Sequence, residues 1–472
     1  MPLTAALPAT RPPESRRRDR IVVGTLAFAT ATAALQQSVV VPLLPRLQAD
    51  LRISVTAVTW TLTVSLLVGA VTTPLLSRFG DMYGRRRMIM IALVLLTAGS
   101  VLSAVSSSLP VLIAGRLLQG ASIALVPLSI GVVRDVLPLR ELPTAIGVLS
   151  ATLGFGSGGG MILAGLSAGD YHAAFWTTAA LAVVATVLVA VLVKDVVPAV
   201  GGRPDLPGAM LLTIALIASL LAISQGRSWG WGSWQVLTLI AVFAVASVAW
   251  VLVERRTADP LVEIPMLTHR GTVGATIASF LLGFALFSSM TAISPFVQAP
   301  VSTGYGFGAS TLQVGFYLLP TTLLMLVVSL FAGRLMRRFP AASLVTVGAV
   351  LVALADVWFL VSHTRHADAY VMTTLLGAGV GLGYAALGTM AVEHVDQGKT
   401  SVASGVNVLV RMIGASVAGS VVGAVLGGHT SGGAFPSVQG YLSCFALAAV
   451  VAGLAAVSAA TFGVMNRRLG RA

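Results

Sequence analysis

Two ionisable residues lie well inside long apolar stretches of this 472-residue chain, Arg116 and Asp356. A charge at that depth costs several kcal/mol and therefore carries a partner or a task. For Arg116 the candidate partners are amides on another apolar stretch, Gln36 and Gln37. At about 1.5 Å of rise per helical residue, Gln36 and Arg116 fall at similar depth, roughly 22 and 20 Å from one face. Either glutamine can then hydrogen-bond the guanidinium. Asp356, roughly 24 Å deep by the same rise, is an acid able to carry a proton or pair with an arginine. The plainer alternatives are backbone carbonyls and waters around Arg116, and a structural hydrogen bond from Asp356 to another helix.

A second group lies in a tight basic loop, Ser77-Arg78-Phe79-Gly80-Asp81-Met82-Tyr83-Gly84-Arg85-Arg86-Arg87. Its glycines allow a sharp turn that can set Asp81 against a helix N-terminus, where a carboxylate is favoured. Arg85 can pair with Asp135 to form a clasp, whereas Arg86 and Arg87 also fit a role in topology alone. Gly147, Gly154, Gly156, Gly158, Gly159, Gly160 and Gly165 crowd one apolar stretch. Small residues four apart allow close helix contact, so Gly154, Gly156, Gly158 and Gly160 suggest a tight contact or hinge. Phe280, Phe284 and Phe287 share one helical face, which suits either packing or an apolar ligand. The six histidines (His172, His269, His363, His366, His394, His429) fall in loops or at the ends of apolar stretches, with no metal-ligand spacing.

The elements that must position these groups are membrane-spanning helices. The chain is 56% hydrophobic and 10% charged, against about a quarter charged in soluble domains. Apolar runs of about twenty residues fit a hydrocarbon core of about 30 Å, and the alternating segments of a β-barrel are absent. The expected spans are 21–45, 55–79, 87–107, 109–133, 142–166, 173–194, 207–225, 233–254, 271–298, 308–335, 340–362, 369–393, 402–427 and 438–465. The net charge of +13 resides in alternate connections, which places both termini in the cytoplasm by the positive-inside rule and argues against a nucleic-acid partner. An even span count agrees with that placement. Trp229, Trp231 and Trp234 mark an outer interface. A lone Cys444 excludes an intramolecular disulfide. The basic start reads as a cytoplasmic tail leading into a signal anchor.

Spans seven and eight read as an insertion between two halves, and Gly333-Arg334-Leu335-Met336-Arg337-Arg338-Phe339 faintly repeats the first basic loop. The expected division is 1–20 tail, 21–194 first six-helix half, 195–256 inserted pair, 257–466 second six-helix half and 467–472 tail.

In the basic loop the sequence resembles the major facilitator superfamily, with Asp81, Gly84, Arg85 and Arg86 on the family pattern and Ser77 in place of its first glycine. Arg116, Gln119 and Gly120 match R-x-x-Q-G in span four. Trp60, Thr63 and Pro74, and Gly405, Asn407, Arg411 and Gly414 in span thirteen, resemble the fourteen-helix drug/proton antiporter branch. The resemblance covers essentially the whole chain. It implies an all-α polytopic membrane protein with the major facilitator fold, two six-helix halves plus two inserted helices. It also implies that Asp81 meets the start of span thirteen near Ser401 and Ser404. The cavity would be lined by spans one, four, nine and twelve, with Gln36, Gln37, Gln119, Phe280, Phe284 and Phe287 as candidate lining residues.

The sequence departs from the branch at two places. Leu35-Gln36-Gln37-Ser38 stands where the branch has an acid, and span five lacks its Gly-Pro pair. Asp356, Arg116 and Arg411 are then the candidates for proton coupling, although span eleven is peripheral in the family fold. The expected activity is export of small amphipathic compounds across the cytoplasmic membrane by a monomer, driven by protons. An exporter or facilitator of one metabolite without proton coupling is the main alternative, and a non-transporting sensor a further one. No phosphate-binding loop is present, so neither an ATP-driven pump nor any other cofactor is expected. No cluster of acids, histidines or cysteines at one depth suggests an enzyme.

Overall fold

The computed structural model describes the chain apart from residues 1–12, 54, 168–169, 195–200, 202–204, 258–259, 261–269, 394, 430–434 and 470–472. His269 and His394 thus lie outside the described residues. Fourteen helices are long and apolar enough to cross a membrane, and no strand occurs among the described residues. With internal hydrogen bonds in every span, no backbone donor is left facing lipid, and each helix can present apolar side chains outward.

The first six are α1 (Pro13–Leu51), α2 (Val55–Tyr83), α3 (Arg85–Ala104), α4 (Leu109–Val136), α5 (Leu142–Leu166) and α6 (Tyr171–Leu192). The central pair is α7 (Leu206–Trp229) and α8 (Trp234–Glu254). The last six are α9 (Arg270–Gln298), α10 (Thr311–Leu335), α11 (Ala341–Val361), α12 (His366–Val392), α13 (Thr400–Gly428) and α14 (Val438–Leu469). Each coincides with an expected span. The end boundaries differ: α1 begins at Pro13, so Arg16, Arg17, Arg18 and Arg20 belong to its first turns and not to a tail. At the other end α14 continues through Arg467 and Arg468 to Leu469. Long basic side chains reach the polar interface from such turns, so the helix need not stop where the apolar run does.

In the first half, α1 packs along α5 and α6, α3 along α4 and α6, and α2 along α4. In the second, α9 packs on α13 and α14, α11 on α12 and α14, and α10 on α12. The halves meet along two seams, α5 with α10 and α12, and α2 and α4 with α13. The α7–α8 pair adds a flank to the second seam. Leu212, Leu216 and Leu220 of α7 pack with Leu67, Ala70 and Val71 of α2 and with Leu409 of α13. Trp229, Trp231 and Trp234 are exposed at the α7–α8 turn, as suits indole rings at a membrane interface.

The glycines of α5 divide between two neighbours. A Cβ on Gly147 would lie 2.7 Å from the carbonyl oxygen of Ser329 in α10, and one on Gly158 would enter the Thr322 side chain. Gly154 faces Thr322 and Met325 of the same helix. Gly156 and Gly160 instead meet Ala31, Ala34, Leu35 and Ser38 of α1. One face of α5 thus joins the halves and the other binds the first half together. The helix runs unbroken from Leu142 to Leu166, and its glycines let it lie close against α10 on one side and α1 on the other.

Candidate functional site

The basic loop closes one end of the molecule. α2 stops at Tyr83 and α3 starts at Arg85, with Gly84 between them at φ +105°. That conformation strains any residue with a Cβ, and it directs Asp81 and Arg85 toward the second half. Arg85 is nearly fully buried and holds two carboxylates. Its Nη2 lies 2.7 Å from Asp81 Oδ1, and its Nη1 pairs with Asp135 Oδ2. Its Nε donates to Ser401 Oγ at 2.9 Å, and Nη1 also donates to the Gly131 carbonyl at 3.1 Å. Asp81 Oδ2 in turn accepts from the backbone N–H of Val402 at 3.1 Å, within the first turn of α13. The expected placement of Asp81 at that helix N-terminus is therefore present, and the dipole and the free N–H groups both favour the carboxylate there.

Two residues of the closure have no counterpart among the expected site residues. Arg134 reaches across to the carbonyls of Val392, at 2.7 Å, and Val395, at 2.6 Å, and to Thr400 Oγ1 at 3.0 Å. It reads in sequence as one more topology-setting arginine, and only its position beside Asp135 hints otherwise. Gly131 supplies the space, since a Cβ there would collide with Ser401 Oγ and Arg85 Nε. Arg86 also bonds within its own half. It donates to the Ala190 carbonyl at 2.7 Å and ties α3 to the end of α6.

Deeper in the first half, Arg116 is 1% exposed. Its Nε donates to the Thr61 carbonyl at 2.9 Å and its Nη1 to Gln119 Oε1 at 2.8 Å. Gln36 Nε2 donates to the same Gln119 oxygen, so the expected direct bond from Gln36 to Arg116 is replaced by a shared acceptor. The cause is local: Gln119 lies one turn along α4 from Arg116 and reaches the gap first. Gln119 is anchored by Ser100 at 3.2 Å, and Gly99 and Gly115 let α3 and α4 approach there. The α4 helix tightens into a 3-10 turn at Ala121–Ala124, immediately beyond. Gln37 takes no part, and its Nε2 is buried without a partner, as is Gln36 Oε1.

In the second half, the Arg411 guanidinium lies 4.3 Å from the Tyr384 ring centroid, a cation–π contact. Gly283 of α9 abuts the Arg411 backbone and Cγ. At 100° per residue, Gly283 shares a face of α9 with Phe280, Phe284 and Phe287. Ser289 lies on the opposite side of α9, where its hydroxyl donates to Asp356 Oδ1 at 2.7 Å. Asp356 is completely buried. Its second oxygen has no partner, and no arginine pairs with it among the described residues. The phenylalanines grade from the buried Phe284 to the 48% exposed Phe287. Asn407 does not face the phenylalanines; it bridges to Ser279 Oγ at 2.6 Å. Among the described residues no group of three or more His, Cys, Asp or Glu could hold a metal.

Two six-helix bundles that meet face to face, with charged groups buried between helices and a polar closure at one end, form an architecture that secondary transporters share. The chain belongs to the Major Facilitator Superfamily, whose family model matches residues 26–419. An uncharacterised MFS-type transporter of Mycobacterium tuberculosis is 29% identical over 462 residues, which is 92% of this chain and 65% of that protein. This chain thus spans a little under two thirds of that relative's length. The multidrug transporter protein MdtP of Bacillus subtilis is 23% identical, over 87% of this chain and 75% of its own. Among solved structures, the human organic anion transporter MFSD10 superposes with a TM-score of 0.69 at 15% identity, covering 95% of this chain and all of its own. At that identity the likeness is one of fold. The protein is thus a multi-pass membrane protein of that superfamily.

Proposed function

We propose that this protein exports small amphipathic organic compounds across the cytoplasmic membrane by alternating access, with its basic end in the cytoplasm. The closure around Arg85 carries the reading. It joins the halves through ion pairs and hydrogen bonds that water can take over on opening, beside apolar contacts such as Leu75 with Val402 and Val406. The seams of α5 with α10 and α2 with α13 allow rocking as rigid bodies. The Phe280, Phe284 and Phe287 face supplies apolar contact for the cargo. The named activity of the multidrug relative supports export and a broad substrate range.

Protons are the expected energy source, with Asp356 and Arg116 as coupling candidates. A facilitator without proton coupling is the second reading. It is favoured by Gln36, an amide that cannot titrate, and by the position of Asp356 behind α9 against Ser289. Efflux of a lipophilic dye from proteoliposomes under an imposed pH gradient tests both. Gradient-driven efflux abolished by Asp356→Asn supports proton coupling through that acid. Efflux indifferent to the gradient removes the antiporter reading.

A further inference from the structure

The chain places two arginines deep in its spans, Arg116 and Arg411, and only one acid, Asp356. Asp356 pairs with neither arginine, because its partner is Ser289 and it sits on the far side of α9 from Arg411. The other fifteen of the sixteen acids lie in connections or within a few turns of span ends. Each half therefore holds an arginine deep in its spans that pairs with no carboxylate among the described residues, Arg116 buried and Arg411 partly exposed. A charge inside a span is costly until an opposite charge arrives. Arg116 has spent part of its donor capacity on Thr61 and Gln119. Arg411 has spent none of its own among the described contacts, since its guanidinium is held by the face of the Tyr384 ring alone. Nearby, the Tyr384 hydroxyl is buried without a partner. The α9 face that carries Gly283, which abuts Arg411, also carries Phe284 and Phe287.

We propose that the transported compound is an organic anion, with its acid group bound by Arg411, its apolar body on the phenylalanine face of α9, and Arg116 as the second attracting charge. A planar guanidinium with unspent donors matches a carboxylate in bidentate geometry, which a lysine cannot reproduce. Gln36 fits the same arrangement. Gln36 and Arg116 donate to one oxygen of Gln119, so an acid at position 36 would neutralise Arg116 internally and weaken the attraction for an anion. This inference rests on the transporter reading for the identity of the ligand as cargo, while the charge argument is independent of direction and energy source.

The test uses the full chain in lipid nanodiscs and three probes with one ring system: 2-naphthoate, 2-naphthamide and 2-naphthylmethylammonium. Binding is measured by calorimetry. The expected result is naphthoate binding at least tenfold tighter than either other probe. That preference should be lost in Arg411→Gln, reduced in Arg411→Lys, and reduced tenfold in Gln36→Glu with amide binding unchanged. Equal binding of all three probes overturns the proposal, as does an ammonium preference or a naphthoate preference that survives Arg411→Gln. Should Arg411→Gln not yield folded protein, Gln36→Glu decides between the outcomes, because it adds a charge near Arg116 without disturbing Arg411. Charge-selective binding without any efflux from proteoliposomes supports the anion and fails the export reading. Gradient-driven efflux of all three probes alike does the reverse.

Discussion

Arg85 and Arg116 are both arginines buried in the first half, yet their surroundings differ in kind. Arg85 is embraced by Asp81 and Asp135, so the closure it organises is neutralised by its own side chains. Arg116 has carbonyl and amide oxygens but no carboxylate. A closure must be complete without cargo, because it forms and breaks in every cycle. A binding region gains by being incomplete, because a ligand then supplies what is missing. In the proposed cycle the first arginine would serve gating and the second the interior field that attracts a substrate.

The largest effect is expected for Arg85→Met, which leaves two buried carboxylates facing each other. Removing one partner of a buried ion pair costs about 3–5 kcal/mol, so transport should vanish and the melting temperature of the purified protein should fall. Unchanged melting and transport would erase the distinction between the two arginines. Asp81→Asn should act more mildly, because an asparagine oxygen still accepts from Val402 while Arg85 keeps Asp135. A loss of about 1–3 kcal/mol from the closure lowers the ratio of closed to open forms by roughly fivefold or more. Spin labels at Arg140 and Glu393, exposed on opposite halves, should then report longer distances at the basic end. If those distances stay put, Asp81 does not hold the closure.

Gly158→Val tests the other seam. Its branched side chain would press on Thr322 of α10, and overpacking costs about 1–3 kcal/mol. The same labels should show the halves pushed apart, whereas Gly165→Ala, with open space around it, should leave them unchanged. The smallest effect belongs to Arg86→Gln. Its bond to Ala190 stays within one half, so transport should remain within about twofold of wild type, consistent with a partly exposed contact worth at most about 1 kcal/mol. A loss comparable with that of Asp81→Asn would return Arg86 to the gate.

The fourteen spans were legible in the sequence, because apolar runs are properties of single segments. The membrane imposes a helix on each such run whatever its neighbours are. The partners of Asp81 were legible too, through the motif it shares with relatives and through the turn that glycine permits at position 84. Arg134 looked the same as its basic neighbours until α12 and α13 were set opposite it. Gln36 was expected to bind Arg116 because depth along a helix can be counted from sequence. The angle at which a side chain leaves the helix, and the presence of Gln119 in the gap, could not be counted in that way. The division of the α5 glycines between α1 and α10 likewise needed the packed bundle. Composition alone thus decided that the chain crosses the bilayer and where it turns. Tertiary structure decided which buried charges meet and which stay unmet, because pairing depends on distances between helices that no single helix encodes.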